Sequence, residues 1–199
     1  MALPWLLRAV LKELRISELV KEEACYAIFP SLPEDAGVRK IWEVFNPKAH
    51  EGLTTFSRSF MRNEGQLTPA DKEMIAGYVS KLNDSEYCFA GHSRAAIKLG
   101  VDDAVFAPLA ADLETAPVRD ELKPLLNFVK KLTLTPAQVS RADAEQVFAA
   151  GWDEKSLHEA ICVAARFAMM NRLTLGHGLL VDEERREKSA LNMSYDRPE

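Results

Sequence analysis

Residues 67–100 read LTPADKEMIAGYVSKLNDSEYCFAGHSRAAIKLG, and they contain the start and stop signals of two successive helices. Thr68 is a favourable N-cap, Pro69 suits the first helical position, and Asp71 supplies the acid of a capping box. Helical spacing then gives the first helix one apolar face, made of Met74, Ile75, Tyr78, Val79 and Leu82. The stretch therefore predicts a helix with a defined start and one buried side.

A polar break separates this helix from the next. Asn83-Asp84-Ser85 interrupts the apolar periodicity, and the second helix is expected to run from about Tyr87 to Leu99 and to stop at Gly100. Because the break is short, the second helix can fold back on the first.

Helical periodicity dominates the rest of the chain. No segment alternates apolar and polar residues for long, and no Asn-Gly or Asp-Gly hairpin turn occurs. Residues 38–62 predict two helices that meet at Asn46-Pro47, and residues 134–137 repeat LTPA and predict the start of another polar helix. A break at Gly151-Trp152-Asp153 precedes a long apolar helix over residues 155–176. The sequence predicts an all-α fold of about eight to ten helices.

We expect one domain, spanning residues 1–199, with three parts. Residues 1–28 predict an amphipathic helix that packs on its own core or on another subunit, with a membrane-surface helix as the alternative. Arg8 interrupts the apolar run too early for a signal peptide. A Pro/Gly linker follows, then a core over residues 36–180 and a charged tail over residues 182–199.

Composition restricts the classes of partner and compartment. The formal net charge is −5 and the basic residues are scattered, so no nucleic-acid partner is expected. No segment approaches the length of a membrane span. The three cysteines, Cys25, Cys88 and Cys162, are odd in number and far apart, which argues against a disulfide framework and favours a reducing, cytoplasmic setting.

Cys88 and His92 are the residues that carry the clearest chemistry. A cysteine attacks as its thiolate, and backbone N–H groups in the first turn of a helix favour negative charge there. We expect Asp84 or Ser85 to cap that helix. His92 lies one turn after Cys88 on the same face and could accept the thiol proton. Glu73, on the preceding helix, could then orient the imidazole. No metal site is expected, since nothing in the sequence supplies further ligands.

This stretch resembles the core of the carboxymuconolactone decarboxylase and alkylhydroperoxidase D superfamily. That core carries a glutamate and, twelve residues later, the first cysteine of a CxxCxxxH motif. The resemblance places Glu73, Cys88 and His92 at the glutamate, second-cysteine and histidine positions, as catalytic residues of a proton relay. Tyr87 falls where alkylhydroperoxidase D has a further histidine, and the implied fold is one of packed helical hairpins, here with an extra N-terminal helix.

The similarity covers roughly residues 36–180. Residues 134–178 resemble the second half of the peroxidase-related branch, which ends in an apolar helix with an Asn-Arg pair, here Asn171 and Arg172. Those two residues and His177 are candidates for lining a pocket. The sequence departs from the family at Ser85, which stands where the disulfide-forming cysteine should be. Ser85 could still support the Cys88 thiolate by a hydrogen bond.

Two classes of function stay open. The first is a peroxidase-like enzyme in which Cys88 reduces a hydroperoxide and an external thiol restores it. The second is a non-redox lyase, such as a decarboxylase, or a small-molecule binding protein, with Glu73 and His92 as an acid–base pair acting on a small organic acid. A scaffold without catalysis is a third option. Neither class needs a cofactor, and the apolar N-terminal helix predicts a homo-oligomer.

Overall fold

The computed structural model describes residues 28–33, 36–179 and 181, and every regular element within them is helical. Eight α-helices occur in this part of the chain, together with three short 3-10 segments. They are α1 (Val38–Phe45), α2 (Pro47–Met61), α3 (Pro69–Leu82), α4 (Glu86–Lys98), α5 (Phe106–Ala111), α6 (Leu122–Leu134), α7 (Arg141–Ala149) and α8 (Glu154–Gly176). The predicted all-α class is therefore confirmed.

The two ends of the chain stay at the level of prediction. The predicted N-terminal helix, apart from its last residue, and the charged tail over residues 182–199 lie outside the described residues. Among the helices that are described, none is long and apolar enough to traverse a bilayer. The division of the chain into core and appendages also remains a prediction.

Helix α3 starts as its sequence predicts. The Thr68 side chain accepts the backbone N–H of Asp71, and the Asp71 carboxylate accepts the backbone N–H of Thr68 in return. These two bonds satisfy N–H groups that a helix start would otherwise leave open. Ten consecutive residues of the helix, Asp71 to Ser80, are buried. The helix is therefore enclosed on every side, rather than on the one apolar side that its sequence predicts.

The turn between α3 and α4 is tight. Asp84 adopts φ of 53°, a left-handed conformation that non-glycine residues rarely take, and the Ser85 N–H bonds back to the Ser80 carbonyl. Ser85 is the N-cap of α4, but its side chain makes no capping bond. Ser85 therefore holds the cap position that the sequence predicts for Asp84 or Ser85, while its hydroxyl bonds to α8 rather than to the start of its own helix.

Helix α3 lies at the centre of the described fold, between α4, α6 and α8. Their apolar side chains form one core with almost no solvent exposure, including Ile75, Val79, Leu125, Leu126, Val129, Ala160, Val163 and Phe167. Removing that much apolar surface from water is the main force holding the helices together. It also brings residues near 70–92 against residues near 160–175, far away in sequence.

The second LTPA stretch behaves differently from the first. Leu134 ends α6, Thr135 is its C-cap, and residues Pro136–Gln138 form a 3-10 turn. Helix α7 begins only at Arg141, where Ser140 and Asp143 form the capping box. The prediction that LTPA opens a helix here is wrong. Ser140 and Asp143, five and eight positions after Thr135, provide the stronger start signal.

Candidate functional site

Glu73 and His92 meet in the interior of the protein. His92 Nδ1 lies 2.6 Å from Glu73 Oε2, and the two residues are 8% and 0% exposed. A carboxylate only accepts hydrogen bonds, so Nδ1 must carry the proton and donate it to Glu73. In the neutral imidazole this leaves Nε2 as the basic nitrogen. The approach of Glu73 to His92 that the sequence suggested is present.

The second carboxylate oxygen of Glu73 is bound by Arg62. Arg62 lies at the end of α2, and its Nη1 is 2.8 Å from Glu73 Oε1. Glu73 is thus held between a guanidinium and an imidazole, which fixes the carboxylate and gives its buried charge a partner of opposite sign. The edge of the His92 ring also packs against Phe167, with the ring centroids 4.1 Å apart.

Lys72, the neighbour of Glu73, forms a separate buried ion pair. It is fully buried, and its Nζ lies 2.9 Å from Glu159 Oε2 on α8. The same ammonium donates to Oδ1 and to the backbone carbonyl of Asn63, at 2.7 and 2.9 Å. This pair anchors α3 to α8 and to the turn that carries Arg62.

Cys88 lies in the first turn of α4 and is 6% exposed. Its Sγ atom is 3.5 Å from Thr174 Oγ1 of α8, within hydrogen-bond distance for sulfur. The Ser85 hydroxyl is 3.3 Å from the same Thr174 oxygen. The thiol therefore forms its hydrogen bond with a threonine of α8, rather than with His92 or Ser85.

Tyr87 and His177 contribute to the packing near residues 28–45. The Tyr87 hydroxyl accepts the backbone N–H of Val38 at 3.2 Å, so it fixes the start of α1. His177 caps α8, donates from Nδ1 to the Leu173 carbonyl at 2.7 Å, and stacks on Phe29 with centroids 4.5 Å apart.

Asn171 and Arg172 are neighbours in α8, but the first is buried and the second is exposed. Asn171 is fully buried, donates to the Ser80 hydroxyl at 3.0 Å and accepts from the Asn83 amide at 3.1 Å. It thereby joins α8 to the end of α3. Arg172 is exposed and donates to the backbone carbonyl of Ala168 on its own helix.

Cys162 is set apart from the site cluster, by which we mean Arg62, Glu73, Cys88, His92 and Thr174. Its Sγ lies 3.5 Å from His158 Nε2 on the outer side of α8. Burial, followed by the nearby Glu159 carboxylate, raises the pKa of the Cys162 thiol. Thr174 lies twelve positions after Cys162 in α8, a distance of about 18 Å along a helix.

Two members of the cluster, Arg62 and Thr174, were missed by the sequence reasoning. Neither belongs to a motif, and Thr174 is 86 positions from Cys88, so only the folded chain brings them together. In the part of the chain that the structure describes, no group of three or more His, Cys, Asp or Glu side chains could hold a metal ion.

Comparison with known proteins shows which proteins this chain resembles. Residues 47–115 match the family model described as the carboxymuconolactone decarboxylase family. Over these residues the chain is similar to that family. The matched segment contains Glu73, Cys88 and His92, whereas Thr174 lies beyond it. No curated protein matches the chain.

Several solved structures share the fold of this chain. An uncharacterised peroxidase-related protein from Silicibacter sp. TM1040 is 26% identical, with a TM-score of 0.68 over 85% of this chain and 87% of its own. A peroxidase-related protein with an alkylhydroperoxidase AhpD core, from Ralstonia eutropha JMP134, is 21% identical, with a TM-score of 0.64 over 73% and 77%. A protein of unknown function from Agrobacterium tumefaciens is 15% identical, with a TM-score of 0.56 over 74% and 99%.

Proposed function

We propose that the protein is a peroxidase-like thiol oxidoreductase that reduces hydroperoxides through Cys88, with Glu73 and His92 as its proton relay. The observation that carries the proposal is the 2.6 Å contact between His92 Nδ1 and Glu73 Oε2. It leaves Nε2 as a base on the helix that also carries the thiol, one turn after Cys88. The peroxidase-related relatives support the same reading.

The first step oxidises sulfur and reduces the peroxide. His92 Nε2 takes the Cys88 thiol proton, and the Glu73 carboxylate stabilises the imidazolium that forms. The thiolate attacks the terminal oxygen of R–O–O–H, so that an S–O bond forms and the O–O bond breaks. The proton held by His92 passes to the departing alkoxide, which leaves as an alcohol, and Cys88 becomes a sulfenic acid.

The second step returns Cys88 to the thiol at the expense of an external thiol. One thiol attacks the sulfenic acid, releases water and forms a mixed disulfide, and a second thiol releases Cys88 and leaves as a disulfide. Ser85 has no sulfur with which to form an internal disulfide. Cys162 lies about 18 Å along α8 from the residue that touches Cys88, too far for a bridge within one folded chain.

Four variants test the proposal in a hydroperoxide-consumption assay with a dithiol reductant. Cys88→Ser should abolish turnover, and Cys162→Ser, the matched control, should leave it unchanged. Ser85→Cys should restore a Cys-x-x-Cys pair at the start of α4 and raise turnover, since the new thiol can resolve the sulfenic acid internally. Glu73→Gln should slow turnover. Full turnover by Cys88→Ser would sink the proposal.

A second candidate is a non-redox lyase or small-molecule binding protein in which Glu73 and His92 act without the thiol. The favouring observation is that Cys88 Sγ bonds to Thr174 and leaves the Glu73–His92 pair complete by itself. A thermal-shift screen of small organic acids distinguishes the two. If the protein is such a lyase or binding protein, a ligand should stabilise the parent and Cys88→Ser equally but fail to stabilise His92→Ala. The homo-oligomer and the cytoplasmic setting also stay predictions. Light scattering would test the first by measuring the molar mass in solution.

A further inference from the structure

Thr174 is the meeting point of three hydrogen-bond partners. Its Oγ1 lies 3.1 Å from the Asn171 carbonyl oxygen, 3.3 Å from Ser85 Oγ and 3.5 Å from Cys88 Sγ. Thr174 and Ser85 are each 1% exposed, so water does not compete for these contacts. The direction of each bond therefore follows from the donors and acceptors themselves.

A threonine hydroxyl has one proton to donate and can accept two. The Asn171 carbonyl can only accept, so the Thr174 proton goes to it. Both remaining contacts must then run toward the Thr174 oxygen, with Ser85 O–H and Cys88 S–H as donors. In this arrangement Thr174 is saturated, and Cys88 is held as a protonated thiol.

We propose that Thr174 is a further catalytic residue whose hydroxyl reverses direction when Cys88 ionises. The inference rests on the proposed function, because it assigns a role at the same thiol. A thiolate has no proton, so its bond to Thr174 survives only if the hydroxyl turns and donates to sulfur. The Asn171 carbonyl loses this side-chain bond but stays within the regular hydrogen bonding of α8, which limits the cost.

The exchange favours the thiolate. A hydrogen bond to a charged sulfur is roughly twice as strong as one between neutral groups, so the bond gained outweighs the bond released. The charged and titratable groups of the proposed relay are His92 on α4, Glu73 on α3 and Arg62 at the end of α2, which contact one another. Thr174 adds the α8 side of the site, and Ser85 can keep donating to its oxygen throughout.

Two measurements on the full chain test the role of Thr174 without a peroxide substrate. The first is the infrared S–H stretching band, isolated as the difference between the parent and Cys88→Ser. It should lie at the lower wavenumber of a hydrogen-bonded thiol and move to the free-thiol position in Thr174→Val. The second is the rate of Cys88 alkylation by iodoacetamide at neutral pH, which should fall about tenfold in Thr174→Val.

Thr174→Ser keeps the hydroxyl and should restore the hydrogen-bonded band and most of the alkylation rate. The matched control is Thr133→Val, which removes the same kind of hydroxyl-to-carbonyl bond in α6, where Thr133 donates to Val129 at 2.8 Å. It should change neither readout. An unmoved S–H band in Thr174→Val, or an alkylation rate within twofold of the parent, overturns the inference.

The two proposals fail in different ways. If the parent consumes no hydroperoxide while the band shift and the alkylation loss both occur, the thiol–threonine exchange stands and peroxide reduction is wrong. If the parent consumes hydroperoxide and Thr174→Val does so equally well, the role of Thr174 is wrong and the peroxidase stands.

Discussion

Glu73→Gln should disable His92 by moving a proton within the imidazole ring. A glutamine offers one oxygen and one NH2 group in place of two oxygens. Arg62 can only donate, so it keeps the oxygen, and the NH2 group must face His92 Nδ1. Nδ1 then becomes the acceptor, and the proton moves to Nε2. The substitution keeps the shape of the side chain and removes the free base.

The expected loss follows from the value of a positioned base. General-base catalysis contributes about 10²- to 10⁴-fold, or about 3–5 kcal/mol of barrier at 1.36 kcal/mol for each factor of ten. We therefore expect Glu73→Gln to consume hydroperoxide at least about 100-fold more slowly than the parent. The ¹⁵N spectrum of the His92 ring should report the change of tautomer directly, with protonated Nδ1 in the parent and protonated Nε2 in the variant.

Glu159→Gln is the matched control for this experiment. Glu159 is also buried and paired with a cation, Lys72, but it has no contact with His92. It should lower the melting temperature while leaving the His92 tautomer unchanged. The reasoning is refuted if Glu73→Gln keeps more than about one third of the parent rate, a loss far below that of a missing base. It is equally refuted if Nδ1 stays protonated in the variant.

Three further predictions concern charge and thiol chemistry away from His92. Lys72→Met should cost about 3–5 kcal/mol of unfolding free energy, roughly 10 °C in melting temperature. The reason is that it removes the buried cation paired with Glu159 and leaves only the exposed Lys155, 4.0 Å away, as a cation near that carboxylate. Recovery of the loss by Lys72→Met combined with Glu159→Leu would support this cause, and an unchanged melting point for Lys72→Met would exclude it. Hydrogen bonds from Lys131 and then Ser140 lower the pKa of Asp143 to about 2. The contribution of Asp143 to stability should therefore be complete above about pH 4 and disappear as the pH falls through about 2. Acid unfolding of Asp143→Asn should lack this loss of stability between about pH 4 and about pH 2, and the same loss in the variant would contradict the prediction. Cys162, with its raised pKa, should react with iodoacetamide at neutral pH more slowly than Cys88, as mass spectrometry of the labelled peptides can check; faster labelling of Cys162 would contradict it.

Local signals in the sequence were sufficient for the α3–α4 hairpin. Thr68 and Asp71 form the predicted capping box, and Asn46 accepts the backbone N–H of Ala49 at the start of α2. Gly100, with φ of 103°, follows the end of α4 as predicted. Each of these features depends on side chains within a few residues of one another, which is why propensity and capping rules capture them.

The site could be predicted only in part. The Glu73–His92 contact was anticipated as a possibility that a short turn allows, since such a turn lets one helix fold back on the other. Arg62 and Thr174 were not, because their contacts depend on how α2 and α8 pack against that hairpin. The role of Ser85 also changed for this reason. Its hydroxyl had a partner on α8 that no local rule could provide, so its side chain makes no capping bond to its own helix.

The turn between α2 and α3 is tied down twice by neighbouring residues. Arg62 binds Glu73, and Asn63 binds Lys72, which in turn reaches Glu159. This arrangement makes the effects of mutation at these positions depend on one another. If the charge of Lys72 were lost first, the buried Glu159 carboxylate would lose its buried cation and the protein would be poorly folded. If the charge of Glu159 were lost first, the buried Lys72 ammonium would lose its carboxylate. Positions 62–63, 72–73 and 159 should therefore diverge among relatives as a set, and their substitutions should show strong epistasis when combined one at a time.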